Sequence, residues 1–148
     1  MRKRIDDNYY INDDKKELQL DVIHQYLSEE SYWAQKIPIE VVAKSIEHSK
    51  SIGVFYKKEQ IGFARVLTDY ATFAYIGDVF ILENHRKKGL SKALVRYILD
   101  HPELQGLRRW ILMTHDAHGL YEQFDFKVVE KPSRVMEITY PNIYLKKE

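Results

Sequence analysis

Residues 72–82, TFAYIGDVFIL, form an almost uninterrupted apolar and aromatic stretch. A strand with one face in water alternates apolar and polar side chains, whereas a strand covered on both faces does not. The stretch therefore predicts a central strand covered on both sides. Asp78 is its one charged residue. Because burying an unpaired carboxylate is costly, Asp78 is expected to face a cleft, a cation or a hydrogen-bond donor.

The segments around this strand predict a mixed α/β sheet. Before it, two helical patterns (LQLDVIHQYLSEESYW and IPIEVVAKSIEHS) precede two strands at residues 52–56 and 60–67, joined by a short charged turn. After it come a helix over about residues 88–100, the strand RRWILMT, a short helix in DAHGLYEQF capped by Asp116, and two strands in FKVVE and RVMEITY. No repeat or linker interrupts this order, so residues 1–148 are expected to form a single domain.

Composition narrows the function classes. The 23 Lys and Arg nearly balance the 22 Asp and Glu, which argues against a nucleic-acid or membrane partner. The chain has no cysteine, which excludes disulfides, thiolate catalysis and cysteine zinc sites and suits a cytoplasmic protein. His115 and His118 are three residues apart, but no third ligand is evident nearby, so no metal is expected.

A basic turn follows the central strand and opens the next helix. It reads Arg86-Lys87-Lys88-Gly89-Leu90-Ser91, with Lys92 one residue further on. The first N–H groups of a helix lack helical partners, and glycine permits a backbone that lets such amides converge on one anion. The turn contains neither G-x-x-x-x-G-K-[ST] nor G-x-G-x-x-G. The alternative is a solvated turn that only caps the helix.

Two sequence motifs resemble those of the GNAT superfamily of acyl-CoA-dependent N-acyltransferases. Arg86, Gly89 and Ser91 occupy the fixed positions of its signature [RQ]-x-x-G-x-[GA], and WILMTHDAHGLYEQFDF resembles its second block. Ser91 departs from the usual Gly or Ala, but serine is small and could donate to phosphate, so we expect CoA binding to persist. Asp125 stands where the family often has Gly, and Asp tolerates a left-handed backbone better than most residues.

The resemblance implies a fold and a reaction. The fold is a GNAT-like mixed, mostly antiparallel central sheet of about six to seven strands flanked by about four helices. The reaction moves an acetyl group from acetyl-CoA to an amine by direct attack in a ternary complex. A main-chain amide near a bulge, which Gly77 would favour, polarises the acyl carbonyl. The residues implied for the cofactor are Val79, Phe80, Ile81, Arg86, Lys87, Lys88, Gly89, Leu90, Ser91, Lys92 and His118.

Two residues are candidates for the chemistry. Tyr121 matches the family position whose phenol commonly protonates the leaving sulfur; the alternative is a ring that packs on the sheet. Asp78 either draws in the substrate ammonium and relays its proton through water, or accepts structural hydrogen bonds at the bulge. The residues leave both alternatives open.

The acceptor pocket is expected beside the early helices. There the resemblance implies that Tyr32 and Trp33 form one wall, although Trp33 could equally pack in the core, and that Asp69 and Tyr70 line the same side. The resemblance implies a small-molecule or peptide amine as the acceptor, and a small cationic amine suits aromatic and acidic surroundings. The sequence leaves open a homodimer and a second function class, a non-catalytic acyl-CoA-binding sensor or interaction module.

Overall fold

The computed structural model describes residues 1–145 and contains one six-stranded sheet in the order β1-β2-β3-β4-β5-β6. The strands are β1 (Lys3–Arg4), β2 (Tyr9–Asn12), β3 (Lys50–Tyr56), β4 (Glu59–Thr68), β5 (Phe73–Ile81) and β6 (Arg109–Leu112). Neighbouring strands pair antiparallel except β5 and β6, which are parallel. The predicted mixed, mostly antiparallel sheet is confirmed.

In the described part of the chain, four α-helices accompany the sheet. They are α1 (Leu20–Gln25), which continues as a π-helical turn over Tyr26–Glu30, α2 (Ile39–Glu47), α3 (Leu90–Asp100) and α4 (His118–Glu122). Helix α3 ends at Asp100, before Pro102, as predicted, because proline cannot supply the N–H that a continuing helix needs. Within residues 1–145, every helix is too short or too polar to cross a membrane.

Apolar side chains cover both faces of the sheet. On one face, Leu94 and Ile98 of α3 belong to a buried cluster with sheet residues such as Ile76. On the other face, Ile23 of α1 and its neighbours pack with Phe80. The central strand β5 thus contributes to both clusters, which explains its nearly continuous apolar sequence.

The predictions of the last two strands and of the Asp116 cap are wrong, and strands β1 and β2 were not predicted. Residues 126–130 and 134–140, predicted as the last two strands, form no strand pairs, although their composition favours strands; β-propensity alone does not supply a pairing partner. Strand β2 was not predicted, because acidic residues flank its short YYIN sequence on both sides. Asp116 does not cap α4: Ala117 precedes the helix, and the Thr114 hydroxyl accepts the Ala117 N–H at 3.0 Å.

Candidate active site

A bulge interrupts β5 near its middle. Phe63 of β4 pairs with Phe80 and Arg65 pairs with Gly77, so Ala64 alone opposes both Asp78 and Val79. Asp78 adopts φ +53°, in the left-handed region that residues other than glycine seldom occupy. The extra residue reverses the alternation of side chains, which is why the strand contributes to the α3 face before the bulge and to the α1–α2 face at Phe80. The irregularity expected at Gly77 therefore lies one residue further along.

The sheet opens beside this bulge. Parallel pairing of β5 with β6 ends at Ile76 and Leu112, whereas β5 continues to Ile81. Backbone groups of residues 77–81 that point toward β6 consequently have no strand partner in the described sheet. Ligands of α/β proteins bind where parallel strands diverge at their carboxyl ends. The main chain of Val79 and Phe80 borders such an opening.

The basic turn has the backbone geometry of an anion cradle. Gly89 precedes α3 with φ +74°, and Lys87 has φ +62°. The first helical bond runs from the Ala93 N–H to the Gly89 carbonyl, so the N–H groups of residues 90–92 have no helical acceptor. A Cβ at Gly89 would meet no atom within 4 Å, so glycine is needed there for its backbone angle.

A cavity of about 180 Å³ lies at this turn. Its lining residues are Ile81, His85, Arg86, Lys87, Gly89, Leu90, Ser91, Lys92 and Leu120. The cavity therefore combines free helix amides, lysine charges and a serine hydroxyl, the donor set that suits a phosphate or diphosphate. Since Leu120 belongs to α4, that helix borders the cavity from across the opening.

Arg86 anchors the turn rather than presenting its charge to the cavity alone. Its Nε donates to the Ile81 carbonyl at 2.9 Å, and its Nη2 donates to the Tyr26 hydroxyl at 3.2 Å. The Tyr26 ring stacks on Phe80 with centroids 4.0 Å apart. The guanidinium thus links the turn to the end of β5 and to the π-helical turn that continues α1. The lysines of the turn are exposed and supply its positive potential.

Trp33 and Arg65 hold the carboxylate of the bulge. The Trp33 Nε1 donates to Asp78 Oδ1 at 2.8 Å, and the Arg65 Nε donates to Asp78 Oδ2 at 2.9 Å. Both oxygens of Asp78 therefore accept the hydrogen bonds expected of a structural acceptor, while 14% of its side chain remains exposed. The sequence reasoning missed Arg65, although an isolated charge in an apolar strand is the same signal that singled out Asp78.

Aromatic rings form a wall beside this pair. Tyr32 meets Trp33 edge-on with centroids 4.9 Å apart, and its ring lies 5.5 Å from that of His115. Trp33 is 38% exposed, so it is not a core residue. Tyr75 was also missed; burial, aided by the nearby Asp78 carboxylate, raises the pKa of the Tyr75 phenol.

Tyr121 is placed by α4 with its ring buried and packed edge-on against Phe126 at 5.8 Å. Burial, aided by the nearby Tyr32, raises the pKa of Tyr121 to about 12. Its hydroxyl is therefore protonated at neutral pH, which is the form that a proton donor needs. Asp125, in the turn after α4, has φ +70°, which confirms the left-handed backbone expected there.

The remaining predicted residues do not line the cavity at the basic turn, although His118 lines a second cavity together with Tyr121. Asp69 accepts the N–H groups of residues 71–73 and the Thr72 hydroxyl, so it closes the β4–β5 turn beyond the Thr68–Ala74 pair. The bonds from Thr72 hold the pKa of Asp69 well below its usual range. Tyr70 occupies the same turn, and His118 is exposed at the start of α4. The four hydrogen bonds that Asp69 accepts show that its carboxylate stabilises the β4–β5 turn.

Comparison with known proteins agrees with this architecture. Residues 12–126 match the acetyltransferase (GNAT) family, and the chain belongs to that family. A Gibberella zeae protein named as a candidate acetyltransferase is 29% identical over 136 residues, covering 77% of this chain and 76% of its own length.

Solved structures are similar over most of the chain. A GNAT-family protein from Xanthomonas campestris is 45% identical, with a TM-score of 0.91 over 93% of this chain and 97% of its own. A GNAT-family acetyltransferase from Elizabethkingia anophelis, solved with acetyl-CoA bound, is 14% identical, with a TM-score of 0.63 over 84% of this chain and 80% of its own.

Proposed function

We propose that this protein transfers an acetyl group from acetyl-CoA to a small cationic amine. The observation that carries the proposal is the anion cradle of residues 86–92 beside the opening between β5 and β6. Family membership supports acyl transfer, and the acetyl-CoA held by a protein of the same fold supports the donor. A cytoplasmic location belongs to the proposal and rests on the cysteine-free composition.

The donor fits the residues at the opening. The N–H groups of residues 90–92 and the lysines of the turn suit the phosphates of CoA. The backbone groups of residues 77–80 that face away from β4 suit the amides of the pantetheine arm, which would lie there like an added strand. A main-chain N–H at this edge would also polarise the thioester carbonyl as it becomes an oxyanion.

The reaction forms a carbon–nitrogen bond, breaks a carbon–sulfur bond and moves protons at the nitrogen, at the sulfur and at Tyr121. A neutral amine nitrogen attacks the thioester carbonyl carbon, the carbon–sulfur bond breaks, and the thiolate leaves. Tyr121 gives its phenolic proton to that sulfur and later regains one from solvent, while the acetylated nitrogen loses its proton to water. Burial that raises the pKa of Tyr121 also raises that of a thiol in the same place, which keeps the transfer feasible.

Tyr32 and Trp33 form the wall of the acceptor side, and the Asp78 carboxylate accepts the indole N–H of Trp33. Aromatic faces and a carboxylate attract an ammonium group. Asp78 thereby fixes the indole of Trp33 and favours approach of the amine, which becomes neutral by losing a proton to water.

Thiol release from acetyl-CoA, measured against a panel of small amines, polyamines and peptides, tests the proposal. We expect acceptor-dependent release and, by mass spectrometry, an acceptor that has gained one acetyl group. Preference for small cationic amines over neutral-side-chain peptides would support the acceptor class. Tight binding of acetyl-CoA without release across the panel would contradict the proposal and favour the non-catalytic sensor.

A further inference from the structure

Arg65 lies where the helices stop covering one face of the sheet. Phe63, two residues earlier in β4, is fully buried and packs in the apolar cluster that α1 and α2 form with the sheet. Side chains alternate along a strand, so Arg65 points to the same face. Further along that face, Leu67 is 39% exposed, and Phe73, two residues before the partner of Leu67 in β5, is 38% exposed. The guanidinium is therefore at the edge of an uncovered part of the sheet.

The guanidinium of Arg65 retains unused hydrogen-bond donors. Its Nε donates to Asp78 Oδ2 at 2.9 Å, whereas the hydrogen bonds described within residues 1–145 give Nη1 and Nη2 no protein acceptor. The Arg65 side chain is only 19% exposed, yet in the same part of the chain no side-chain nitrogen without a partner is sealed from solvent. Nη1 and Nη2, which carry most of the N–H donors of a guanidinium, can therefore be reached by a ligand.

The ion pair of Arg65 and Asp78 is fixed in position. Trp33 donates to the second oxygen of the Asp78 carboxylate, and the β5 bulge fixes the backbone of Asp78. Each carboxylate oxygen can still accept a further hydrogen bond. The pair thus presents unused N–H donors beside a carboxylate. This arrangement complements a molecule that carries an amine and a carboxylate close together, as an amino acid does.

A glycine and a tyrosine border the ion pair on the same face. Gly77 pairs with Arg65 across the two strands. A Cβ at Gly77 would lie 2.9 Å from Cε1 of Tyr75, so the Tyr75 ring extends over the glycine. Burial raises the pKa of the Tyr75 phenol, which therefore keeps its proton at neutral pH. Gly77 thus allows an aromatic ring with a hydroxyl donor to lie beside the guanidinium.

We propose that the amine acceptor also carries a carboxylate and that Nη1 and Nη2 of Arg65 bind it, which makes the acceptor a small amino acid. The inference rests on the proposed function, since it concerns the acceptor of the same reaction. A guanidinium matches a carboxylate through two parallel N–H···O bonds, which a lysine cannot reproduce. With its carboxylate on Arg65, the acceptor directs its amine toward Asp78 and the bulge, and its apolar part contacts Tyr32 and Trp33.

Acetylation of matched amines tests the inference. The pairs are ornithine and putrescine, lysine and cadaverine, and tyrosine and tyramine, whose members differ only in the carboxylate. We expect the wild type to prefer the carboxylate-bearing member about 10- to 100-fold in kcat/KM, the usual effect of hydrogen bonds between charged groups. Equal rates, or a preference for the amine without the carboxylate, overturn the inference and leave the proposed function standing. If no compound is acetylated, the proposed function is wrong and the inference fails with it.

Arg65→Lys separates recognition of the carboxylate from stabilisation of the bulge. Lysine keeps a positive charge for Asp78 but lacks the planar pair of Nη groups. We expect the preference for the carboxylate-bearing amine to fall about 10-fold or more, whatever the change in the overall rate.

Arg96→Lys is the matched control for this variant. It makes the same change at an exposed residue of α3, which covers the opposite face of the sheet, and should keep the preference. If Arg65→Lys lowers the rates with both members of each pair by the same factor, Arg65 only holds Asp78 in place, and the inference is wrong.

Discussion

The indole N–H of Trp33 donates to Asp78, the residue that adopts the left-handed conformation in the β5 bulge. A residue from the loop between the π-helical turn and α2 is thereby fixed to the point at which the sheet begins to open. Arg65 holds the other oxygen of the same carboxylate. The position of the aromatic wall relative to the opening thus depends on one carboxylate with two donors.

The first prediction concerns this link. Trp33→Phe keeps an aromatic ring and removes the donor to Asp78, so the acceptor wall should lose its fixed position. We expect the acceptor KM to rise about 10- to 100-fold, the equivalent of a hydrogen bond to a charged group, with CoA affinity unchanged. Steady-state kinetics and calorimetry with CoA measure both.

Trp110→Phe, the same change in the other tryptophan of the chain, is the control and should leave the acceptor KM near the wild-type value. If Trp33→Phe lowers only the stability while the folded enzyme keeps its kinetics, Trp33 has no role in the acceptor wall.

The sequence predicts what depends on local periodicity and backbone chemistry. The apolar stretch around β5, the end of α3 before Pro102 and the left-handed Gly89 are all visible in short windows of sequence. The contact of Arg65 with Asp78 is not, because the bulge decides which side chains of β4 and β5 face each other. A pairing between strands depends on register, and a single inserted residue changes it.

Residues 134–140 show the other limit of sequence patterns. RVMEITY has the composition of a strand, yet a strand forms only where an edge is available to it. In contrast, β2 forms from only four residues flanked by acidic ones, because β3 offers a partner and Ile11 is fully buried. Composition describes a preference, and the tertiary surroundings decide the outcome.

The second prediction concerns the anion cradle. Gly89→Ala forces a side chain into a left-handed conformation that costs about 1 kcal/mol, so the turn should shift and CoA should bind about 5- to 10-fold more weakly. Gly106→Ala is a matched control, because Gly106 also has positive φ and an equally open Cβ position. Calorimetry should find similar losses of stability in both variants, but weaker CoA binding only for Gly89→Ala. If Gly89→Ala and the wild type bind CoA with equal affinity, the turn only caps the helix and does not bind the phosphates of CoA.

The third prediction is an acid-sensitive stability centred on Asp13. Burial alone would raise the pKa of Asp13, but hydrogen bonds from the N-terminal ammonium, His101 and Lys50 outweigh burial and hold that pKa well below its usual range. A carboxyl whose pKa is lower in the folded than in the unfolded state stabilises the fold above about pH 4, and this stabilisation is lost as the pH falls further. The free energy of unfolding should therefore decline steeply below about pH 4.

Urea unfolding between neutral and acidic pH measures this decline. Asp13→Asn should lower the free energy of unfolding by about 3 kcal/mol at pH 7, because the buried Lys50 loses one of its two carboxylates, and should flatten the acid dependence. Asp21→Asn removes an exposed carboxylate and should change neither quantity much. An unchanged acid dependence in Asp13→Asn would assign the sensitivity to other groups.

The last prediction concerns Tyr121. Tyr121→Phe removes the hydroxyl and keeps the ring against Phe126, so packing should be preserved. We expect kcat to fall about 10²- to 10⁴-fold, the usual contribution of a positioned general acid, with CoA affinity altered little. Because the pKa of Tyr121 is about 12 in the free protein, its ionisation should not reduce the wild-type rate between about pH 7 and 10.

Two comparisons separate proton donation from a structural role for Tyr121. The loss of rate should shrink with a thioester donor whose thiol has a lower pKa, since that thiolate leaves without a proton. Tyr97→Phe, which removes another buried tyrosine hydroxyl, should change stability and leave kcat and its dependence on the leaving thiol unchanged. If Tyr121→Phe turns over as fast as the wild type, or loses the same factor with every donor, the phenol does not protonate the leaving sulfur.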